Sequence, residues 1–256
     1  MKKFALGILL LAAGLVGQAR SQSVGCANWN GNAGAVTTVS STSCTTSSAG
    51  TSTFVLVVIN APAATSVPTI TDTFGNNAKW TLAQSINTYP GQPRTLALYY
   101  CNLCTGGSGY TATATWTGTG DASIGFVEFQ SAGTLTLGVA PTGVTDTAAS
   151  PIVAPSITTT QANQLVINAF GTYSSNTQTL ANNATGGSGG FTAAVSQQSV
   201  NTYQNGMISY QIVTSSGTAV KDAYSYSTFD YTAALAMSLK TPATNAPPAG
   251  VFVTLP

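Results

Sequence analysis

Phe54-Val55-Leu56-Val57-Val58-Ile59-Asn60-Ala61 is the stretch on which the fold turns. Its apolar residues run from Phe54 to Ile59 with no charge and no helical spacing, as in a strand covered on both faces. Leu165-Val166-Ile167-Asn168-Ala169 resembles its second half. Two further pairs follow in the same order. Ile86-Asn87-Thr88-Tyr89 resembles Val200-Asn201-Thr202-Tyr203, and the strand-like run Ser123 to Phe129 matches Ala233 to Leu239 in its apolar pattern. Three matches at nearly constant spacing point to an internal duplication.

Working outward, short runs of Val, Ile, Thr, Tyr and Phe recur between Gly, Asn, Ser and Pro, and no stretch has a helical apolar period. Thr69 to Thr73, then Phe74-Gly75-Asn76-Asn77, then Lys79 to Ala83 reads as a hairpin. Further strands are expected at Thr95 to Tyr100, Tyr110 to Trp116, Leu135 to Val139, Phe191 to Val195, Met207 to Val213 and Val220 to Tyr226. The expected fold is all-β, an antiparallel β-sandwich of jelly-roll or Greek-key type, with two duplicated halves about a pseudo-two-fold axis.

Residues 1–19 have the anatomy of an export signal. Lys2 and Lys3 precede an apolar run from Phe4 to Val16, and Gly17-Gln18-Ala19 offers a cleavage site. The run is shorter than the ~20 residues of a membrane-spanning helix, so no membrane association is expected after cleavage. Residues 20–51 form an N-terminal segment joining the sandwich. The domain proper is 52–240, in halves of about 52–140 and 156–240, linked by 141–155. A Pro-rich tail occupies 241–256. The expected location is secreted or extracellular, with the periplasm or cell surface as variants.

Four cysteines suit an oxidising compartment and allow three pairings; the local ones, Cys26–Cys44 and Cys101–Cys104, are favoured. Cys101-Asn102-Leu103-Cys104 ends a strand, which suits a staple better than a redox dithiol. Charged residues are only 5% of the chain, against the usual ~25%. No basic stripe for nucleic acid can be assembled.

The ordered tracts Thr71-Asp72-Thr73-Phe74-Gly75-Asn76 with Trp80-Thr81-Leu82, Leu96-Ala97-Leu98-Tyr99-Tyr100, Val127-Glu128-Phe129 and Gln164-Leu165-Val166-Ile167 resemble a set of uncharacterised bacterial exported sandwich domains. The resemblance spans about residues 52–240. It implies an extracellular β-sandwich and brings no catalytic residues.

The chain has no histidine, which removes Ser-His-Asp and Cys-His catalysis. The acids are Asp72, Asp121, Glu128, Asp146, Asp222 and Asp230, and no paired glutamates stand at same-face spacing as glycoside hydrolysis commonly uses. Glu128 is the acid to watch, since its same-face neighbours Ile124 and Phe126 are apolar. It is expected to pair with Arg94 or a lysine, or to face solvent. The sharper alternatives are a glutamic-peptidase-like dyad with Gln84 or Gln211, or an isopeptide using Lys79, Lys221 or Lys240. Asp72 reads as a turn cap, and neither a metal nor a cofactor is expected.

Tyr89, Tyr203, Trp116 and Tyr226 are the candidate ligand-binding residues, because exposed aromatic faces stack on sugar rings. The expected function is a non-catalytic secreted module that binds a glycan, the cell envelope or an extracellular protein. Its discriminating feature would be coplanar exposed aromatics. The alternative is a structural or adhesive subunit that assembles through edge strands.

Overall fold

The computed structural model describes residues 23–48, 50–60, 67–87, 94–130, 135–146, 150–173, 178–197, 204–227 and 231–240. It is all-β, and every strand pairing is antiparallel. The first set of strands is β1 (Ser23–Ser40), β2 (Ser52–Asn60), β3 (Thr69–Asp72), β4 (Trp80–Asn87), β5 (Thr95–Cys104) and β6 (Ala112–Gln130). The second set is β7 (Thr136–Asp146), β8 (Ile152–Val153), β9 (Ile157–Thr158), β10 (Gln164–Tyr173) and β11 (Thr192–Gln197). It continues with β12 (Gln204–Val213), β13 (Ala219–Val220), β14 (Ala223–Tyr224) and β15 (Tyr231–Lys240).

The first sheet runs β1-β6-β2-β5-β4, with β3 added to β6; the second runs β11-β12-β10-β15-β7. Read in chain order, the main strands of the two sheets follow the same permutation. The sheets face each other with β1 over β11, β6 over β12 and β4 over β7. Alternate residues of the central strands meet between them: Val55, Val57 and Ile59 from β2, Leu165, Ile167 and Ala169 from β10. Each fully buried aliphatic side chain there contributes about 2 kcal/mol by leaving water.

The other face of each central strand is buried too, which is why the opening stretch lacks alternation. Phe54, Leu56 and Val58 pack under an outer layer with Ile70, Ala112, Ala114, Trp116 and Val39. That layer is made by the first half of β6, by β3 and by the end of β1. On the second sheet, Val166 and Phe170 are covered by residues of β8, β9, β13 and β14. Asn60 and Asn168, matched in sequence, are both wholly buried on these outer faces.

Both local disulfides, Cys26–Cys44 and Cys101–Cys104, are present. Among the described residues no helix is long and apolar enough to cross a membrane. The disulfides fit an oxidising compartment.

Several local expectations change. The hairpin at 69–83 does not form: β3 pairs with β6, and β4 pairs with β5. Its turn residues are instead tied into a side-chain knot around Asp72, which sends the two strands to different layers. Tyr110 to Trp116 and Ser123 to Phe129 belong to one continuous strand, β6, apart from Tyr110 and Thr111. The 141–155 linker is partly strand, because β7 runs through Pro141 to Asp146. The 220–226 strand is two short pieces, β13 and β14.

Register also corrects the third internal match. Val57 lies opposite Gly125 and its counterpart Leu165 opposite Leu239, so Leu239 corresponds to Gly125 and not to Phe129. The slip is by an even number of residues. Inward and outward positions are conserved by it, so the apolar pattern alone could not reveal it.

Trp29 closes one side of the sandwich. Its ring packs where a Cβ on Gly125 or on Gly206 would stand, so it fills the gap between the two sheets only because both positions are glycine.

Candidate functional site

The two aromatic candidates among the described residues, Trp116 and Tyr226, do not share a binding face. Tyr89 and Tyr203 lie outside the described residues. Trp116 is 6% exposed and Tyr226 is 7% exposed, and they sit in the outer layers of different sheets. Trp116 follows the inward phase of β6, with Ala112 and Ala114. Tyr226 stacks on Phe170, whose ring also stacks on Tyr224. Rings packed this way have no free face for a sugar, and strand periodicity alone does not tell an inward aromatic from an outward one.

Three of the acids, Asp72, Asp222 and Glu128, are absorbed by the fold in different ways. Asp72 ends β3 and takes five donors. Its Oδ1 accepts from the Phe74 and Asn76 amides and from Asn76 Nδ2; its Oδ2 accepts from Trp80 Nε1 at 2.9 Å and from the Tyr110 hydroxyl at 3.2 Å. Asn76 extends the knot by exchanging two hydrogen bonds with the Thr105 backbone. Burial, reinforced by the Asp72 charge, holds the Tyr110 hydroxyl well above the usual tyrosine range.

Asp222 is wholly buried. Its Oδ1 accepts from the Asn183 and Ala223 amides, and its Oδ2 accepts from Ser209 Oγ at 2.6 Å. Ser209 has one proton and gives it to Asp222, so the Tyr224 hydroxyl donates to Ser209 across 2.6 Å. Burial is the main cause that raises the Tyr224 hydroxyl far above its ordinary value, and the Asp222 charge adds to it.

Glu128 is wholly buried, as its apolar neighbours imply, and among the described residues no cation pairs with it. Its Oε1 accepts from the Ser47 amide at 2.8 Å and from Ser52 Oγ at 2.6 Å. Its Oε2 has no hydrogen-bond partner and lies where a Cβ on Gly25 would be. Lys79 and Lys240 donate elsewhere, to the Leu103 carbonyl and to Thr160 Oγ1.

Neither glutamine joins Glu128. Gln84 is on β4, three strands away in the order β6-β2-β5-β4, which is roughly 14 Å. Gln211 has the phase of Met207 and Val213, on the outer face of the second sheet, whereas Glu128 has the phase of Phe126 on the outer face of the first. Both sheets stand between them. Among the described residues no three of His, Cys, Asp and Glu come together.

What the sequence reading missed is on the outside of the first layer. Register places Thr38 and Thr69 on either side of Thr115, and Ser40 and Thr71 on either side of Thr113. These are two parallel rows of hydroxyl side chains across three strands. Thr38, Thr69, Thr71 and Thr115 are exposed, while Ser40 and Thr113 are half-buried and share a 2.8 Å hydrogen bond. The residues between them, Val39, Ile70 and Ala114, point into the core. The only sequence signal is the repeated Thr-x-Thr in Thr69-Ile70-Thr71 and Thr113-Ala114-Thr115.

The fold and this surface define a disulfide-bonded, all-β sandwich with outer layers on both sheets. No family model, curated protein or solved structure matches the chain.

Proposed function

We propose that the chain is a non-catalytic exported module that binds a neutral carbohydrate or envelope surface. The observation that carries this reading is the pair of uncharged hydroxyl rows on the first outer layer, Thr38–Thr115–Thr69 and Ser40–Thr113–Thr71. Hydroxyls both donate and accept, so such rows suit a partner that is itself neutral and hydroxylated. The leader-like residues 1–19 and the two disulfides support export.

The engagement of both oxygens of Asp72 and Asp222, and of one oxygen of the wholly buried Glu128, by donors of their own chain supports a non-catalytic role over a carboxylate enzyme. Assembly through edge strands is the weaker alternative. The outermost strands of the two main strand orders, β1, β4, β7 and β11, depart from regular register with their neighbours, and the remaining edge of the first sheet, β3, is only four residues long. Bulges and short strands at edges oppose pairing between molecules.

The test is a screen of the chain lacking residues 1–19 against immobilised neutral polysaccharides and a glycan array. Retention on at least one neutral glycan is expected. Absence of binding to every glycan would discard the reading.

A further inference from the structure

We propose that the threonine layer binds the surface of an ordered, insoluble neutral polysaccharide and not a single soluble sugar chain. This rests on the carbohydrate reading above and specifies its site and the physical state of its ligand.

The argument starts from repetition. The two rows lie ~7 Å apart along the strands, and their members ~4.8 Å apart across them. Five of the six positions are threonine and the sixth is serine. The inward positions that alternate with them differ from strand to strand, as Val39, Ile70 and Ala114. A surface that repeats one residue carries little information about an irregular partner. It complements a partner that repeats too.

Charge points the same way. None of the six side chains is ionisable, and the nearest acid along the chain, Asp72, is turned toward Trp80 and Tyr110. Neutral rows impose no penalty on a neutral polymer, whereas a charged partner would lose water without gaining a counter-charge.

The lack of an aromatic at any of the six row positions favours a surface over a single chain. A soluble oligosaccharide is usually held by ring stacking in addition to hydrogen bonds. Here Trp116, the aromatic residue next to Thr115, faces the core. Hydrogen bonds exchanged with water return little each, and ordering a flexible chain against them costs entropy. A rigid lattice has no such chain to order, and its rows engage several hydroxyls at once.

The layer is also held in place for this. It is backed by the buried core of the first sheet, and Cys44, bonded to Cys26, pairs with Tyr110 immediately before β6. Preorganised hydroxyls lose less on binding than mobile ones.

The experiment is co-sedimentation of the chain lacking residues 1–19 with microcrystalline cellulose and with chitin, set beside calorimetry with the matching soluble oligosaccharides. Thr71→Glu/Thr115→Glu is compared with Thr192→Glu, an exposed change on β11. Thr115→Val removes a hydroxyl at constant shape and covers the case in which the double variant fails to fold by circular dichroism. The expected result is adsorption to an insoluble polysaccharide, lowered about tenfold by the double variant, lowered less by Thr115→Val and unchanged by Thr192→Glu. Adsorption that survives both threonine changes overturns the site and leaves the carbohydrate reading standing. Equal affinity for the soluble oligosaccharide overturns the ordered-surface part. Adsorption to ice crystals with none to any polysaccharide overturns both, as does absence of binding throughout.

Discussion

The two outer layers solve one problem with different means. Each covers the far face of a sheet, and each has a tyrosine hydroxyl linked to a carboxylate, Tyr110 to Asp72 and Tyr224 through Ser209 to Asp222. The first layer is a three-stranded extension of its sheet, with a disulfide at its border. The second is pieced together from two-residue ladders, β8 with β14 and β9 with β13, an isolated bridge between Ala181 and Ser225, and single backbone bonds between loops. Its carboxylate is wholly buried and accepts from two backbone amides as well as from Ser209. The comparison teaches where a polar network is fastening and where it is trim.

The largest effect is expected from alkali, which attacks both layers together. Tyr99, Tyr110 and Tyr224 all have hydroxyls raised above the ordinary value of 10, Tyr99 by burial alone. Their stabilising contribution is complete below pH ~10, where the unfolded tyrosines are protonated. Above that pH only the unfolded chain ionises them, so stability falls by up to about 1.4 kcal/mol per pH unit for each tyrosine. Tyrosinate absorbance should therefore appear together with unfolding in an alkaline titration. A gradual rise in the folded protein for all three would break the account.

Next in size is Asp222→Ala, which strands two backbone amides and the Tyr224–Ser209 pair in the core. We expect a loss of about 4 kcal/mol in urea unfolding. Replacing Cys26 and Cys44 by serine should cost about 3 kcal/mol by freeing a loop of that length. Asp72→Ala is expected to cost about 2 kcal/mol, because its site is partly open to water that can replace lost partners. If Asp72→Ala proves as damaging as Asp222→Ala, the contrast between the layers is wrong.

Glu128→Gln sharpens the same contrast at the smallest scale. It keeps the acceptor for Ser47 and Ser52 and removes a charge whose second oxygen has no partner. Stability should be unchanged within about 1 kcal/mol. A large loss would mean that the charge itself is needed.

Much of the framework was legible in the residues. The unbroken apolar run at 54–59 declared a strand with two buried faces, and both disulfides followed from spacing. The errors share one cause, which is that the deciding partners are remote. Asp72 looked like half of a hairpin turn because nothing local shows that Trp80 and Tyr110 will donate to it. Tyr110 to Trp116 and Ser123 to Phe129 read as separate strands, yet from Ala112 onward they lie in one long strand, β6, with Gly118 and Gly120 inside it. Trp116 and Tyr226 were chosen for chemistry that only an outward phase permits, and they face inward. The hydroxyl rows were invisible for a related reason. Thr38, Thr69 and Thr115 become neighbours only through the register of three strands that are far apart in sequence.

The pairing of the first strand has a consequence for the order in which the molecule can assemble. Ser23 of β1 lies opposite Gln130 at the far end of β6, and Ser40 lies opposite Thr113. A polypeptide threaded through a narrow passage amino end first thus presents β1 long before its partner arrives. Distant pairings form slowly in any case. Until residues 113–130 are available, β1 has no partner strand, so the amino-terminal strand is among the last to lock into its sheet.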